Sequence, residues 1–301
     1  MKTLRVGSLC TGYGGIEMGL RSTGLDIDVR WLAETEPALT SLHGETPNLG
    51  DIQRVRWSRV APVDTLTAGF PCQPVSLAGS ALGSTDPRWL WAAVRRGIRA
   101  MSPDRVFIEN VDSLVTYAGG QLWSVMLGDL TRLGYGVRWL TIGACHIGAA
   151  HHRHRVFALA TRGSGIVRRV PALPCGRNGL LPTPIARDGD HRGEASSQFW
   201  IERRAHRGKG IPLGATLVTL PGHWGPYGDA ILMHEARYGT APRATETNRN
   251  GTPRLAAEFA EWLMCLPSGH VTSKLDRVAA LRAIGNGACP PQVARAWELL
   301  T

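Results

Sequence analysis

The sequence predicts an α/β protein: a doubly wound parallel sheet with helices on both faces, joined to a small loop-rich lobe. Three observations predict it. Strand and helix signals alternate through roughly the first half of the chain. The apolar run Asp64 to Phe70 stops sharply at Pro71-Cys72-Gln73-Pro74, as a buried strand ending at a sheet edge would. From about Gly163 the regular pattern is broken by Pro171, Pro174, Pro182, Pro184, Pro212, Pro221, Pro226 and Pro242.

Leu4 to Leu9 is the first strand candidate, followed by Cys10-Thr11-Gly12-Tyr13-Gly14-Gly15 and a helical stretch from Ile16 to Ser22. Glycines between a strand and a helix let the backbone approach a ligand and turn helix N-terminal amides toward it. The loop is neither a dinucleotide fingerprint nor a phosphate loop, since no Gly-Lys-Ser/Thr follows. Glu34 and Asp51 follow two further candidate strand ends, where acidic groups suit the ribose hydroxyls and amino group of an adenosine ligand. Glu36 is the less favoured alternative to Glu34.

Asp64 to Phe70 then presents Cys72 at a C-terminal sheet edge, where open α/β folds place their chemistry. A lone cysteine there is usually a small buried hydrophobe. Arg105 to Val111 is a second strand ending in Glu109-Asn110, so a thiol and a carboxylate could converge on one ligand. Arg88 to Met101 and the set Leu122, Val125, Met126, Leu130 carry helical spacing. Tyr135 to Ile142 and Arg155 to Ala160 read as a terminal strand pair. In the loop-rich lobe, Trp200, Ile201, Leu217, Val218, Leu220, Trp224 and Tyr227 could supply a modest core. The alternative is a disordered insert. Pro291 to Leu300 has Val293, Ala296, Trp297 and Leu300 on one helical face, with proline in the first turn.

These elements resemble the C5-cytosine-specific DNA methyltransferases. The family's S-adenosylmethionine loop is like Leu9 to Gly15, its Pro-Cys-Gln like Pro71-Cys72-Gln73, and its Glu-Asn-Val like Glu109-Asn110-Val111. Its Arg-x-Arg element is similar to Gly148 to Arg155, and its closing Gly-Asn to Ile284-Gly285-Asn286-Gly287. Leu181 to Pro184 and Glu261 to Pro267 look like a compact subgroup often encoded by phages and actinobacteria. The usual Pro-Gln before Arg-x-Arg is Ala150-His151 here; both arginines remain, so activity is expected to survive.

The resemblance implies a Rossmann-like S-adenosylmethionine-dependent methyltransferase sheet and three regions. Residues 1–162 would be catalytic and cofactor-binding, 163–253 a target-recognition lobe, and 254–301 a segment returning to the catalytic domain. It implies transfer of a methyl group from S-adenosylmethionine to C5 of a flipped-out cytosine, leaving S-adenosylhomocysteine. C5 of cytosine is a poor nucleophile, so a thiolate must first add to C6; Cys72 is the candidate. Glu109 would supply a proton or strong hydrogen bond at N3, which partial burial beside the base favours. Arg155 would bond the cytosine O2 and orient Glu109. Arg153 would hold the target phosphate or favour the thiolate, both arginines facing one side of a strand. The stretch Val75 to Arg88, with Gly79 and Gly83, would close over the base or serve as a passive connector.

For the cofactor, the implied set is Cys10, Thr11, Gly12, Tyr13, Gly14, Gly15, Glu34, Asp51, Ile52, Phe70, Pro71 and Asn286. No metal is expected: six cysteines form no C-x-x-C pair, and the histidines at 151, 152 and 154 have no Cys or acidic company. The cysteines read as reduced cytosolic thiols.

Composition agrees with a nucleic-acid enzyme. A net charge of +10 fits a polyanionic partner, and 43% hydrophobic with 19% charged residues is that of a folded chain. No run of about 18 apolar residues exists, so no membrane span is expected, and Met1 to Arg5 leads into a strand without a signal region. The expected partner is double-stranded DNA, with no obligatory protein partner and a monomeric, cytoplasmic, nucleoid-associated protein. A restriction-modification or phage setting is implied by the same resemblance. Alternatives are methylation of tRNA by a family branch, or a DNA-binding module that has lost turnover.

Overall fold

The computed structural model describes residues 3–71, 89–171, 179–189, 213–219 and 224–301. In chain order the elements are β1 (Leu4–Leu9), α1 (Gly15–Ser22), β2 (Ile27–Ala33), the short α2 (Pro37–Thr40), β3 (Thr65–Ala68), α3 (Trp91–Met101), β4 (Arg105–Val111), the short α4 (Ser113–Thr116) and α5 (Gln121–Arg132). They continue with β5 (Tyr135–Ile142), β6 (Arg155–Arg162), β7 (Val167–Arg169), α6 (Leu213–Thr219), α7 (Gly228–Tyr238), β8 (Thr245–Thr247), β9 (Pro253–Leu255), α8 (Ala257–Leu263), α9 (Arg277–Asn286) and α10 (Pro290–Leu300).

The chain forms two compact units. The first comprises Met1–Ile142, His154–Leu173 and Pro290–Thr301; the second comprises Gly143–Arg153 and Pro174–Cys289. Division by compactness thus follows different lines from the three regions expected by role. Within residues 254–301, only those from Pro290 onward belong to the first unit.

Unit 1 is a seven-stranded sheet in the order β2-β1-β3-β4-β6-β5-β7. Strands β2, β1, β3 and β4 are parallel, and β6 pairs antiparallel with both β4 and β5. This is the Rossmann-like methyltransferase sheet expected, its mixed edge included. The central strands read as near-continuous apolar runs because helices cover both faces. Val6, Leu66, Val106 and Phe157 are fully buried. Strand β3 is two residues shorter than the apolar run at its C-terminal end, and Asp51 follows an isolated parallel bridge (Leu32 with Asn48) rather than a strand. Helix α10 lies against α1, where a Cβ on Gly19 would sit 2.5 Å from the Pro290 carbonyl and the Val293 side chain. Glycine is required there by close approach, not by a turn.

Unit 2 has a core of its own. Phe259, Leu263 and Ile231 are fully buried, Trp262 nearly so, and Trp224 stacks on Phe259 with centroids 5.6 Å apart. Leu217 is buried as anticipated, whereas Tyr227 is only half-buried; Trp200, Ile201 and Leu220 lie outside the described residues, as does the side chain of Val218. The main apolar supply is α8, whose helical face carries Phe259, Trp262 and Leu263. Buried Glu261 on the same helix accepts from the amides of Gly269, Val271 and Thr272, fixing the following turn. Asp276 caps α9 through the amides of Val278 and Ala279. Among the described residues no helix is long and apolar enough to cross a membrane.

Candidate active site

In unit 1, the C-terminal ends of β1, β2, β3 and β4 lie side by side, and those of β1, β2 and β4 carry polar groups. The loop after β1 is held open by left-handed backbone at Cys10 (φ 54), Gly12 (φ 58) and Gly14 (φ 85). The Cys10 amide donates to the Ala33 carbonyl at 2.9 Å, tying the loop to the end of β2. A histidine missed in the sequence, His43, bonds the Gly12 carbonyl at 2.7 Å through Nε2. No periodic signal marks it, because it comes from a short turn that folds back over the loop.

Glu34 stands at the end of β2, where its carboxylate accepts from the Gly12 amide at 2.9 Å and from the amides of Thr35 and Glu36. Each carboxylate oxygen has two lone pairs, so acceptor capacity remains toward the loop. Asp51 caps the Gln53 amide with one oxygen and has Arg54 at 3.6 Å from the other. Glu34 and Asp51 act on the same thiol. Cys10 is pushed up to about 12, first by burial and then by these two carboxylates. A Cβ on Gly12 would meet nothing within 4 Å, so the loop borders open space. Tyr13 points into the core at 1% exposure, leaving only its backbone for a ligand; Ile52 and Phe70 are also buried, and Pro71 is exposed.

Gly69 joins the two halves of the site. A side chain there would lie 3.7 Å from Glu109 Oε2 and 3.8 Å from the Cys10 carbonyl. Glu109, at 6% exposure on β4, has its Oε1 3.1 Å from Arg155 Nε on β6. Asn110, not anticipated as a site residue, donates from Nδ2 to the Phe70 carbonyl at 3.1 Å, while its Oδ1 accepts from the Val111 amide at 2.9 Å. The Glu-Asn pair therefore sets the strand end that leads into Pro71. Cys72 lies outside the described residues, as does Val75 to Arg88.

Arg153 departs from the expectation that it shares a strand face with Arg155. β6 begins at Arg155, and Arg153 sits before it with φ 25 and 1% exposure. It belongs to unit 2, where its guanidinium reaches the carbonyls of Pro184, Gly285 and Gly287. The last two flank Asn286, at the end of α9. A Cβ on Gly285 would collide with the Ala186 backbone, so this turn is packed tightly from a second side. Burying a guanidinium is tolerable when carbonyls take its donors. Among the described residues Cys10, Cys265 and Cys289 are free thiols. Among the described residues no three His, Cys, Asp or Glu side chains gather as a metal site.

An α/β sheet with a glycine loop after β1, acidic groups after β2, and a buried Glu–Arg pair across β4 and β6 defines a Rossmann-like methyltransferase domain. Residues 4–179 match the family described as C-5 cytosine-specific DNA methylase, and the chain belongs to that family. It is 32% identical over 160 residues to the type II methyltransferase M.HaeII of Haemophilus aegyptius, covering 52% of this chain and 50% of that one. It is 27% identical over 303 residues to M.NlaX of Neisseria lactamica, covering 95% and 92%. The chain spans about half the length of M.HaeII and of the similar M.NgoBI. The fold is also that of the S. pombe Dnmt2 methyltransferase, with a TM-score of 0.63 at 15% identity over 99% of this chain and 98% of that one.

The family's methyl donor is S-adenosylmethionine, and the residues present fit it. The open space beside Gly12 admits a ligand to the backbone. Two carboxylates beside that space suit ribose hydroxyls, an adenine amino group and a cationic sulfonium.

Proposed function

We propose that this protein is a DNA (cytosine-5) methyltransferase acting on a flipped-out cytosine within a short specific duplex site. The observation that carries the reading is the Glu109–Arg155 pair at 3.1 Å, next to an Asn110 that anchors the strand end before Pro71-Cys72. In this reading Glu34 takes the ribose hydroxyls, Asp51 the adenine amino group, and the amides of the Cys10 to Gly15 loop the methionine carboxylate. S-adenosylmethionine supplies an electrophilic methyl group.

The chain's own residues make the base reactive. The Cys72 thiolate adds to C6, moving electron density to C5 and negative charge to N3; once C5 has taken the methyl group, a base such as water removes the C5 proton, and the Cys72–C6 bond breaks to restore the ring and the thiolate. Glu109 stabilises that charge by a proton or hydrogen bond at N3. Arg155 holds the Glu109 carboxylate in place and offers donors to O2, so two polar edges of one base are read by a fixed pair. Base flipping is required because a stacked C6 is beyond the reach of any thiol, at roughly a few kcal/mol of unstacking. Arg153 serves as a positioning residue: it braces the turn that carries Asn286. The region from about residue 163 to 253 supplies target recognition, and a cytoplasmic site of action follows from the substrate.

The experiment that tests this reading is a methyl-transfer assay run side by side on duplex DNA and tRNA with the purified chain. Transfer to duplex DNA that Cys72→Ala abolishes supports it. Transfer to tRNA alone, or tight DNA binding without transfer, replaces it with one of the alternatives.

A further inference from the structure

Unit 2 carries a feature with no part in the chemistry above: the β8–β9 hairpin and its turn. Asn248, Arg249, Asn250 and Arg254 line an open cavity of about 780 Å³. The turn is rigidly built. Asn248 Oδ1 accepts from the amides of Asn250 and Thr252, each at 2.9 Å, and Gly251 supplies the left-handed backbone (φ 76) that closes the loop. Asn248 is thereby spent on structure, while Arg249 and Asn250 stand exposed at the tip.

Among the described residues, charge does not balance here. Glu246 Oε1 receives both Arg254, at 2.7 Å, and Arg277, at 3.1 Å. Arg277 also donates to the Leu255 carbonyl and feels Asp188 and Glu258, so it is well compensated. Its pKa is nonetheless lowered, by burial first and by the charge of Arg254 second. One carboxylate cannot neutralise the cavity's two arginines as well. The residual positive charge falls on Arg254, whose position Glu246 fixes, and on Arg249.

We infer that this hairpin is a phosphate clamp: Arg249 and Arg254, with the Asn250 side-chain amide, grip one backbone phosphate of duplex DNA and set the lobe's register on it. The chemistry is that of guanidinium forks, which match phosphate oxygens bidentately. Such a contact positions the protein and carries no sequence information. The inference rests on the DNA reading above and assigns a partner group to residues outside the reacting site.

The test is fluorescence anisotropy of the full-length chain and Arg249→Ala with two labelled duplexes, one carrying the methylated site and one lacking it, across a salt series. Arg249 is exposed at a turn whose bonds are made by Asn248, so the variant keeps its fold; circular dichroism verifies this. The clamp predicts that R249A weakens both duplexes alike, by about tenfold, and that the slope of log K against log salt falls by about one. Arg249→Lys should retain the salt slope while losing part of the affinity. Unchanged binding of both duplexes by R249A overturns the clamp. So does weakening confined to the site-bearing duplex, which would make Arg249 a reader of base edges. A wild-type chain that binds neither duplex removes the DNA reading itself, and the clamp with it.

Discussion

Glu109 and Arg155 meet across adjacent antiparallel strands, Arg155 Nε 3.1 Å from Glu109 Oε1, with both side chains largely buried. They are not opposite one another in register: Glu109 pairs with Phe157, and Arg155 with Val111. The contact is a diagonal one, within reach only of a long side chain. It makes Glu109 a fixed acceptor or donor rather than a mobile surface carboxylate.

Removing Arg155 should therefore do two things at once. Arg155→Ala leaves a buried carboxylate without its cation, a loss of about 3–5 kcal/mol of stability by analogy with other broken buried pairs. It should also lower kcat by about 100-fold, the scale seen when one charge-stabilising donor is removed. Arg155→Lys keeps the charge without the fork, so most of the stability should return while kcat stays low. Denaturant melts and steady-state methylation of the same preparations separate the two effects.

Asn110 connects the strand of Glu109 to the one that leads into Pro71. Asn110→Ala leaves the Phe70 carbonyl without this donor in a buried setting, at about 1–3 kcal/mol. Turnover should fall while S-adenosylhomocysteine affinity, measured by calorimetry, stays within about twofold. A loss of cofactor affinity larger than the loss of turnover would move Asn110 out of this role.

Gly12 tests the cofactor loop. Its φ of 58 is left-handed, and a methyl group there would project into the open space bordered by the loop. Gly12→Ala should cost about 1 kcal/mol in backbone strain and weaken S-adenosylhomocysteine by about tenfold or more, since tenfold is only 1.4 kcal/mol. Thermal melts with and without ligand report both: the apo midpoint should shift slightly, and the ligand-induced rise should shrink.

His234 gives the pH dependence of unit 2. It is fully buried, its Nδ1 accepting from the Ala150 amide and its Nε2 bonding the Trp262 carbonyl, so the ring is neutral with its proton on Nε2. Burial lowers its pKa to about 4, partly offset by the Trp262 carbonyl and Glu235. The folded state thus binds fewer protons than the unfolded one between about 6.5 and 4. Stability is unaffected above the ordinary histidine range and falls as pH drops through that window, by up to ~3 kcal/mol. His234→Gln should be less stable at neutral pH yet lose less on acidification. Denaturant melts at about pH 7 and about pH 4.5 decide it: a parallel loss in both proteins would remove His234 as the cause.

Much of this architecture was legible in the sequence. Strands β1 and β4 have the residue limits expected, because buried parallel strands announce themselves as near-continuous apolar runs. The Glu109–Arg155 partnership was legible through the resemblance of the two short motifs. The position of Arg153 was not: the left-handed backbone before β6 breaks the period-two rule that placed it beside Arg155. Neither was Asn110's bond to Phe70, nor His43's to Gly12, since both join segments distant in sequence through single side chains. Of the residues named for the lobe's core, Leu217 is buried and Trp224 stacks on Phe259 of α8, a helix within a stretch noticed only for its subgroup resemblance.

The most direct measurement is bisulfite sequencing of DNA from an expression host without cytosine methylation of its own, carrying either the wild-type chain or Cys72→Ala. The account predicts protected cytosines in one short motif with the wild type and none with Cys72→Ala. Soluble, folded wild-type protein that leaves every cytosine convertible, or protection that survives the loss of Cys72, would contradict it.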